Sequence, residues 1–169
     1  VEGVLSDGGR ALIEAGTGTG KTLAYLLPSM QSGRQVAVST GTRNLQEQLF
    51  HKDLPLVSAL LRRPPRVALL KGRGNYLCRR RFAAFRAQPL FAEQAEARMF
   101  EGIELWATST ISGDRAEIAG LPDGYRAWRE ICAEREGCLG LRCPRRERWF
   151  VQRARAEAAE AELVVVNHH

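Results

Sequence analysis

The chain has 169 residues, 44% of them hydrophobic, and a formal net charge of +6. This length allows one core domain with a small additional subdomain. No apolar stretch approaches the length of a membrane span, and no basic, apolar, small-residue signal opens the chain. We therefore expect a soluble intracellular protein that does not interact with membranes.

Strands and helices are predicted to alternate over residues 1–70 and again near residue 169. Short apolar runs predict buried strands. Apolar positions at helical spacing predict helices, and Leu45, Leu49 and Phe50 are expected on the buried side of theirs. The predicted strands are 11–13, 35–40, 67–70 and 163–166, and the predicted helices are 1–5, 23–27 (ended by Pro28), 43–50 and about 145–160. This alternation indicates an α/β fold with a parallel sheet, in which ligands bind beyond the carboxyl ends of the strands.

A glycine-rich segment, Glu14-Ala-Gly-Thr-Gly-Thr-Gly-Lys-Thr22, connects the first predicted strand to the helix after it. Glycines let a loop turn its backbone N–H groups around phosphate oxygens, and the helix N-terminus adds positive potential. The side chains of Lys21 and Thr22 are expected to serve ATP phosphates and Mg²⁺, as the two catalytic candidates. Ala15 replaces the first glycine of the usual motif, where a small residue is sufficient. The predicted ATP-binding residues are Ala15, Gly16, Thr17, Gly18, Thr19, Gly20, Lys21 and Thr22.

Charge is distributed unevenly along the chain. Residues 62–81 contain eight basic residues and no acid, residues 91–136 contain ten acids against five bases, and residues 142–155 are basic again. Basic clusters are typical of proteins that bind a polyanion such as nucleic acid. A solvated surface in an organism that prefers arginine explains the same pattern.

Four cysteines occur in and around a segment, residues 79–131, that is predicted to be mainly helical. They are Cys78, Cys132, Cys138 and Cys143, separated by 53, 5 and 4 residues. Cysteines at such intervals in an intracellular protein indicate a metal site. The spacing fits an iron–sulfur cluster at least as well as structural zinc, because only the last two cysteines have zinc-type spacing and no histidine lies between residues 52 and 167. Unliganded core cysteines remain a third possibility.

Four motifs occur in a characteristic order. They are the glycine-rich segment, Ser39-Thr-Gly-Thr-Arg-Asn-Leu-Gln-Glu-Gln-Leu49, Lys71-Gly-Arg-Gly-Asn-Tyr-Leu-Cys78 and Val164-Val-Val-Asn-His-His169. Together with the cysteines, they resemble the N-terminal part of a DinG-type helicase, a bacterial relative of the XPD iron–sulfur helicases in superfamily two. The resemblance covers nearly the whole chain and is weakest over residues 79–131.

The resemblance implies a RecA-like P-loop NTPase sheet with an inserted, mainly helical iron–sulfur subdomain. It implies that residues 1–77 begin motor domain 1, residues 78–143 form the inserted cluster domain, and residues 144–169 return to the motor before its Walker B box. Members of the family use ATP to move 5′ to 3′ on single-stranded DNA and unwind duplexes, forks and R-loops in repair or replication. We accordingly expect a cytoplasmic, nucleoid-associated protein.

The resemblance also assigns residues to sites. Cys78, Cys132, Cys138 and Cys143 would hold a [4Fe–4S] cluster. Hydroxyl, amide and guanidinium groups can donate to DNA phosphates without reading bases. The candidate DNA-binding residues are Thr40, Thr42, Arg43, Asn44 and Gln46 in motif Ia, with Arg73, Arg79, Arg80 and Arg81 near the first cysteine.

The chain also departs from the family pattern. No Asp-Glu-x-His box follows Asn167-His168-His169, and no second motor domain is present, so we expect a fragment that does not unwind DNA alone. His168 and His169 either support the catalytic cleft or simply end a strand. Two other functions fit the sequence: a P-loop ATPase with structural zinc, and a cluster-stabilised DNA-binding module with a vestigial P-loop.

Overall fold

Three parallel strands form a sheet whose central strand is the last in sequence. The computed structural model describes residues 1–16, 18–145 and 149–167, and its strands are β1 (Val36–Thr40), β2 (Val67–Leu70) and β3 (Leu163–Asn167). The strand order is β1-β3-β2. Val36 and Val67 both pair with Leu163, so the three carboxyl ends lie at one edge. The predicted parallel α/β sheet is confirmed.

Helices account for most of the remaining regular structure. The α-helices are α1 (Glu2–Asp7), α2 (Lys21–Gln31), α3 (Arg43–Gln48), α4 (Leu54–Ser58), α5 (Arg79–Ala87), α6 (Gln94–Ser109), α7 (Arg126–Ile131) and α8 (Phe150–Glu160). A π-helical turn, Leu49–Asp53, joins α3 to α4, and 3₁₀ turns occupy Arg73–Asn75, Arg115–Glu117 and Gly140–Arg142. In the described residues no helix is long and apolar enough to span a bilayer.

The chain divides into two compact units. The first contains Val1–Lys71 and Arg155–His169, and the second contains Gly72–Ala154. The boundaries expected after residues 77 and 143 both lie inside the second unit. Tyr76 and Leu77 form antiparallel bridges with Asp114 and Cys132, and these bridges tie the segment before Cys78 to the second unit.

Both faces of the central strand are covered in the first unit. One face packs in a core formed by Leu26, Met30, Leu49, Leu54, Val57, Leu163 and Val165. On the other face, Val164 packs with Ala68, Ala158 and Ala161. A parallel strand that is buried on both faces needs a continuous apolar run, and the sequence Leu-Val-Val-Val supplies it.

The strand predicted at 11–13 is not formed. These residues lie outside any helix or strand, and Leu12 and Ile13 are 103% and 62% exposed. A strand needs a hydrogen-bonded neighbour and apolar cover, and no strand in the described chain pairs with this segment. The apolar run alone was therefore an insufficient signal.

Helix α2 continues through Pro28, the residue predicted to end it. A proline inside a helix removes one backbone hydrogen bond and costs about 3 kcal/mol. The next residues, Ser29 and Met30, are nevertheless buried, and the Ser29 hydroxyl donates to the Tyr25 carbonyl at 2.6 Å. The burial of the last helical turn thus outweighs the cost of the hydrogen bond that Pro28 removes.

Two further helix predictions need correction. Leu45 was expected on the buried side of its helix, but it is 52% exposed, and Gln46 is buried instead. The last helix begins at Phe150 rather than near residue 145. Residues 146–148 lie outside the described chain.

Apolar and aromatic side chains from α5, α6 and α7 form the core of the second unit. The rings of Phe82 and Phe100 pack at a tilt with centroids 5.9 Å apart, and Ile103 and Ile131 are fully buried. The Trp128 indole donates to the Gly74 carbonyl at 2.7 Å. The mainly helical character predicted for residues 79–131 is therefore confirmed.

Candidate nucleotide site and cysteine cavity

The glycine-rich loop runs directly into the N-terminus of α2. Gly18 and Gly20 have φ of 76° and 79°, a left-handed conformation that residues with a Cβ atom rarely adopt. The Thr19 hydroxyl closes the turn by donating to the Gly16 carbonyl at 2.9 Å. Thr17 lies outside the described residues. Two of the loop's glycines thus have backbone angles that favour glycine.

Lys21 and Thr22, the two catalytic candidates, are the first residues of α2. The Lys21 ammonium donates to the Ala15 carbonyl at 2.6 Å and also to the Gly16 carbonyl. One helical turn further on, burial raises the pKa of the Tyr25 hydroxyl, and a hydrogen bond with Thr22 opposes that shift. The lysine charge therefore lies over its own loop, and the threonine hydroxyl has a neighbour that orients it.

Motif Ia residues divide into an exposed group and a buried group. Thr42, Arg43 and Asn44 are exposed at the start of α3, where the Thr42 hydroxyl accepts a hydrogen bond from the Leu45 N–H at 3.2 Å. Thr42 is therefore the N-cap of α3. These three residues lie just beyond the carboxyl end of β1, as the α/β ligand rule requires.

Thr40 and Gln46, two of the predicted DNA-binding residues, have buried side chains. Thr40 is 4% exposed, and its hydroxyl donates to the Val166 carbonyl at 3.3 Å. Gln46 is 1% exposed, and its amide donates to the carbonyls of Leu70 and Val165 at 3.1 and 3.3 Å. The polar groups of both side chains therefore donate to backbone carbonyls within the first unit.

An ion pair that the sequence pattern did not reveal lies at the same edge of the sheet. Lys71 follows β2 and forms an ion pair with Glu47 on α3, with the lysine side chain only 7% exposed. Glu47 also contacts His51 Nε2 at 3.1 Å. Lys71 was grouped with the basic run of residues 62–81, but its charge is already balanced within the first unit.

The four cysteines all belong to the second unit. Cys132 and Cys143 are buried, Cys78 is half-buried, and Cys138 is exposed. Backbone bonds hold two of them together: Leu77 bridges Cys132, and the Cys78 N–H donates to the Ile131 carbonyl at 2.8 Å. Burial raises the pKa of the Cys132 thiol, and the Glu134 carboxylate acts in the same direction.

Three of the cysteines line one cavity of about 170 Å³. Its walls include Cys78, Cys138 and Cys143, and Ala133 beside Cys132 also contributes. Within the described parts of the chain, no three His, Cys, Asp or Glu side chains stand close enough to hold a single metal ion. The fold thus brings residues that are distant in sequence around one cavity, which is lined by cysteine, arginine and glutamate residues among others.

The arginines near the first cysteine also surround this cavity. Arg73, Arg79, Arg80 and Arg81 all contribute to its lining. Arg79 donates to the Ala107 carbonyl and lies over the Phe150 ring at 5.1 Å. Arg80 donates to the Gly137 carbonyl at 2.7 Å, and Arg81 makes three hydrogen bonds within the second unit. The guanidinium groups of residues 79–81 are therefore engaged by protein carbonyls, which the DNA-binding prediction did not anticipate.

His168 and His169, considered as support for the cleft, lie outside the described residues. The strand that precedes them is present, and Asn167 pairs with Thr40 at the carboxyl edge of the sheet.

Comparison with known proteins agrees with the motif analysis. Residues 2–65 match the DEAD/DEAH box helicase family. The chain is 42% identical to the ATP-dependent DNA helicase YoaA of Haemophilus influenzae and 40% identical to YoaA of Escherichia coli. Both matches cover 94% of the present chain. It is 38% identical to the ATP-dependent helicase DinG of Mycobacterium tuberculosis, in a match that covers 95% of the present chain.

The chain spans about a quarter of the length of these curated relatives, 25% of each YoaA and 27% of DinG. Over nearly its whole length, the chain is therefore similar to part of the helicases named YoaA and DinG, in agreement with the resemblance of its motifs.

Proposed function

We propose that this chain is the nucleotide-binding first part of an ATP-dependent DNA helicase that carries a [4Fe–4S] cluster. The observation that carries the proposal is the presence, in one chain, of a glycine loop at the start of α2 and a cysteine-lined cavity in the second unit. The similarity to proteins named as ATP-dependent DNA helicases supports the same function.

The ATP site is proposed at residues 15–22. The N–H groups of the loop and the N-terminus of α2 would bind phosphate oxygens, and Lys21 would exchange its bonds to Ala15 and Gly16 for the β- and γ-phosphates. The Thr22 hydroxyl would coordinate Mg²⁺. The acid that orients the attacking water is not supplied by these motifs, so hydrolysis requires residues from the rest of the protein.

The cluster is proposed at Cys78, Cys132, Cys138 and Cys143, as thiolate ligands. The donor set fits a cluster, because three of the four cysteines line one cavity of about 170 Å³ and no histidine stands among its described walls. A bound cluster would cross-link four segments of the second unit, which we therefore assign as the inserted cluster domain of a RecA-like motor.

The DNA path is proposed along Thr42, Arg43 and Asn44, with Arg73 as a further contact. The first three are exposed and carry donors suited to a phosphate backbone. Single-stranded DNA within forks or R-loops is the proposed partner, with 5′ to 3′ movement in repair or replication. Such a substrate would place the protein at the bacterial nucleoid.

Anaerobic purification of the whole protein tests this proposal. We expect about four irons and four sulfides per chain, with broad visible absorption that is lost on Cys→Ser substitution at any of the four positions. We also expect ATP binding that Lys21→Ala abolishes while single-strand DNA binding persists, because the lysine contacts phosphate and not DNA.

Two results would contradict the proposal. A colourless protein with one zinc per chain, even after expression with ample iron, would indicate a P-loop ATPase with a structural zinc site. A brown protein that binds single-stranded DNA but shows no ATP-dependent unwinding, with or without Lys21→Ala, would indicate a DNA-binding module whose P-loop is vestigial.

A further inference from the structure

Helix α5 starts directly after Cys78, and its first three residues are arginines. Basic side chains are unfavourable at a helix N-terminus, because the helix macrodipole is positive at that end. Three of them in one turn therefore require compensating negative groups nearby. The contacts of Arg80 and Arg81 identify what those groups are.

Arg81 binds the end of the helix that leads to the second cysteine. Its Nε donates to the Glu130 carbonyl and its Nη2 to the Arg129 carbonyl, both at 2.8 Å. These carbonyls belong to the last turn of α7, whose C-cap is Cys132. The third donor, Nη1, pairs with Glu134 at 2.7 Å on the other side of Cys132. A planar guanidinium can satisfy three acceptors in this fixed arrangement, which an ammonium cannot.

Arg80 makes the corresponding connection to the third cysteine. Its Nη2 donates at 2.7 Å to the carbonyl of Gly137, the residue directly before Cys138. Gly137 has φ of 71°, so this turn uses a conformation available mainly to glycine. Cys138 itself is exposed. The arginine contact is thus a long-range restraint on a loop that has little buried surface of its own.

We propose that Arg80 and Arg81 are positioning residues of the cysteine site, and that their task is to hold the Cys138 and Cys132 segments against Cys78. This inference rests on the proposed cluster function. It replaces the DNA contact first expected of these two residues. Their two positive charges also oppose the negative charge that four thiolates would introduce around the cavity, which explains why arginine stands in the first turn of α5.

The test uses the whole protein, purified without oxygen, and compares Arg80→Gln and Arg81→Gln with wild type. Arg86→Gln is the matched control, since Arg86 lies on the same helix and pairs with Glu104 away from the cavity. Iron and sulfide content, the rate of iron release to a chelator, and the electron paramagnetic resonance spectrum of the reduced protein are measured. Far-UV circular dichroism and ATP binding report whether each variant is folded.

We expect Arg80→Gln and Arg81→Gln to release iron roughly 10-fold faster than wild type, because residues that orient ligands typically change metal retention by that factor. Their resonance spectra are expected to shift, which a general loss of stability does not produce. Arg80→Lys should retain iron nearly as well as wild type, since one ammonium can reach one carbonyl. If Arg81→Gln does not fold, the Arg80 pair of variants decides the question.

Wild-type iron release and unchanged spectra in the folded Arg80→Gln variant would overturn the inference, as would weakened single-strand DNA binding with normal iron content. These outcomes leave the cluster proposal standing. A wild-type protein without iron would overturn both, so the two failures are distinguishable.

Discussion

Gly113 packs its backbone against Phe150 so closely that a Cβ atom at residue 113 would lie 2.2 Å from the ring's Cδ2 atom. Gly113 has φ of 67°, and its carbonyl accepts a hydrogen bond from the Leu77 N–H at 2.8 Å. Phe150 in turn lines the cysteine cavity. The glycine therefore connects the segment before Cys78 to a wall of the cavity.

We predict that Gly113→Ala destabilises the protein by about 2 kcal/mol or more. Overpacking typically costs about 1–3 kcal/mol, and a left-handed conformation adds roughly 1 kcal/mol for a residue with a Cβ atom. Thermal and urea unfolding measure the loss. Gly102→Ala is the control, because Gly102 lies inside α6 with no described atom within 4 Å of the place an alanine methyl would take, and the change should be neutral or stabilising. Equal unfolding midpoints for the two variants would contradict the packing argument.

The buried amide of Gln46 gives a second prediction, because it joins α3 to the carbonyls of Leu70 and Val165. Gln46→Leu leaves these two bonds unmade and should cost about 1–3 kcal/mol. Gln48→Leu, on the exposed side of the same helix, should change stability by less than about 0.5 kcal/mol. Urea unfolding measures the free energy of unfolding of both variants, and an unchanged m-value shows that only stability differs. A Gln46→Leu protein with wild-type stability but weaker DNA binding would restore the role first predicted for this residue.

These two sites show where sequence reasoning succeeds and where it fails. Local signals identified strands β2 and β3 and the start of α3 at Arg43, because apolar runs and helical spacing can be read from neighbouring residues. Gln46 carries an amide of the kind that can donate to a phosphate. Only the fold shows that this amide donates instead to the carbonyls of Leu70 and Val165. Leu12 and Ile13 form an apolar run, yet a strand depends on a partner elsewhere in the chain.

The cysteine site divides in the same way. The sequence supplied the four candidate ligands, but spacing along the chain could not show that Cys78, Cys138 and Cys143 line one cavity. Likewise, the run Arg79-Arg80-Arg81 predicts a basic surface from its charge. Its hydrogen bonds to Gly137 and to the end of α7 depend on tertiary contacts across some 50 residues of chain.

Tyr125 provides a prediction about pH. Its hydroxyl donates to the Glu96 carbonyl at 2.7 Å, and burial, followed by the Glu96 charge, raises its pKa to about 12. An unfolded tyrosine ionises near pH 10, so between about pH 10 and 12 the folded state binds more protons than the unfolded state. The stability contributed by Tyr125 is thus complete below about pH 10 and is lost as the pH rises through 12.

The measurement compares urea unfolding of wild type and Tyr125→Phe from pH 8 to pH 11. At pH 8 the variant should be less stable by about 1 kcal/mol, for one lost hydrogen bond. Above about pH 10 the difference should narrow, since only wild type carries the ionising group. A difference that stays constant, or widens, over this range would show that the hydroxyl is not held protonated by the fold.

Arg43 provides the last prediction, on DNA binding by the whole protein. It is exposed at the first position of α3, next to Thr42 and Asn44, beyond the carboxyl end of β1. If it contacts one phosphate, Arg43→Ala should weaken single-strand binding and reduce the slope of log affinity against log salt by about 0.7, the value for one phosphate on a single strand. Arg63→Ala removes the same charge from another exposed position and should leave the slope unchanged. A contact with a phosphate releases a counterion, whereas a change in net charge acts only through the screened field of the whole protein, so equal slopes for the two variants would mean that Arg43 lies off the DNA path.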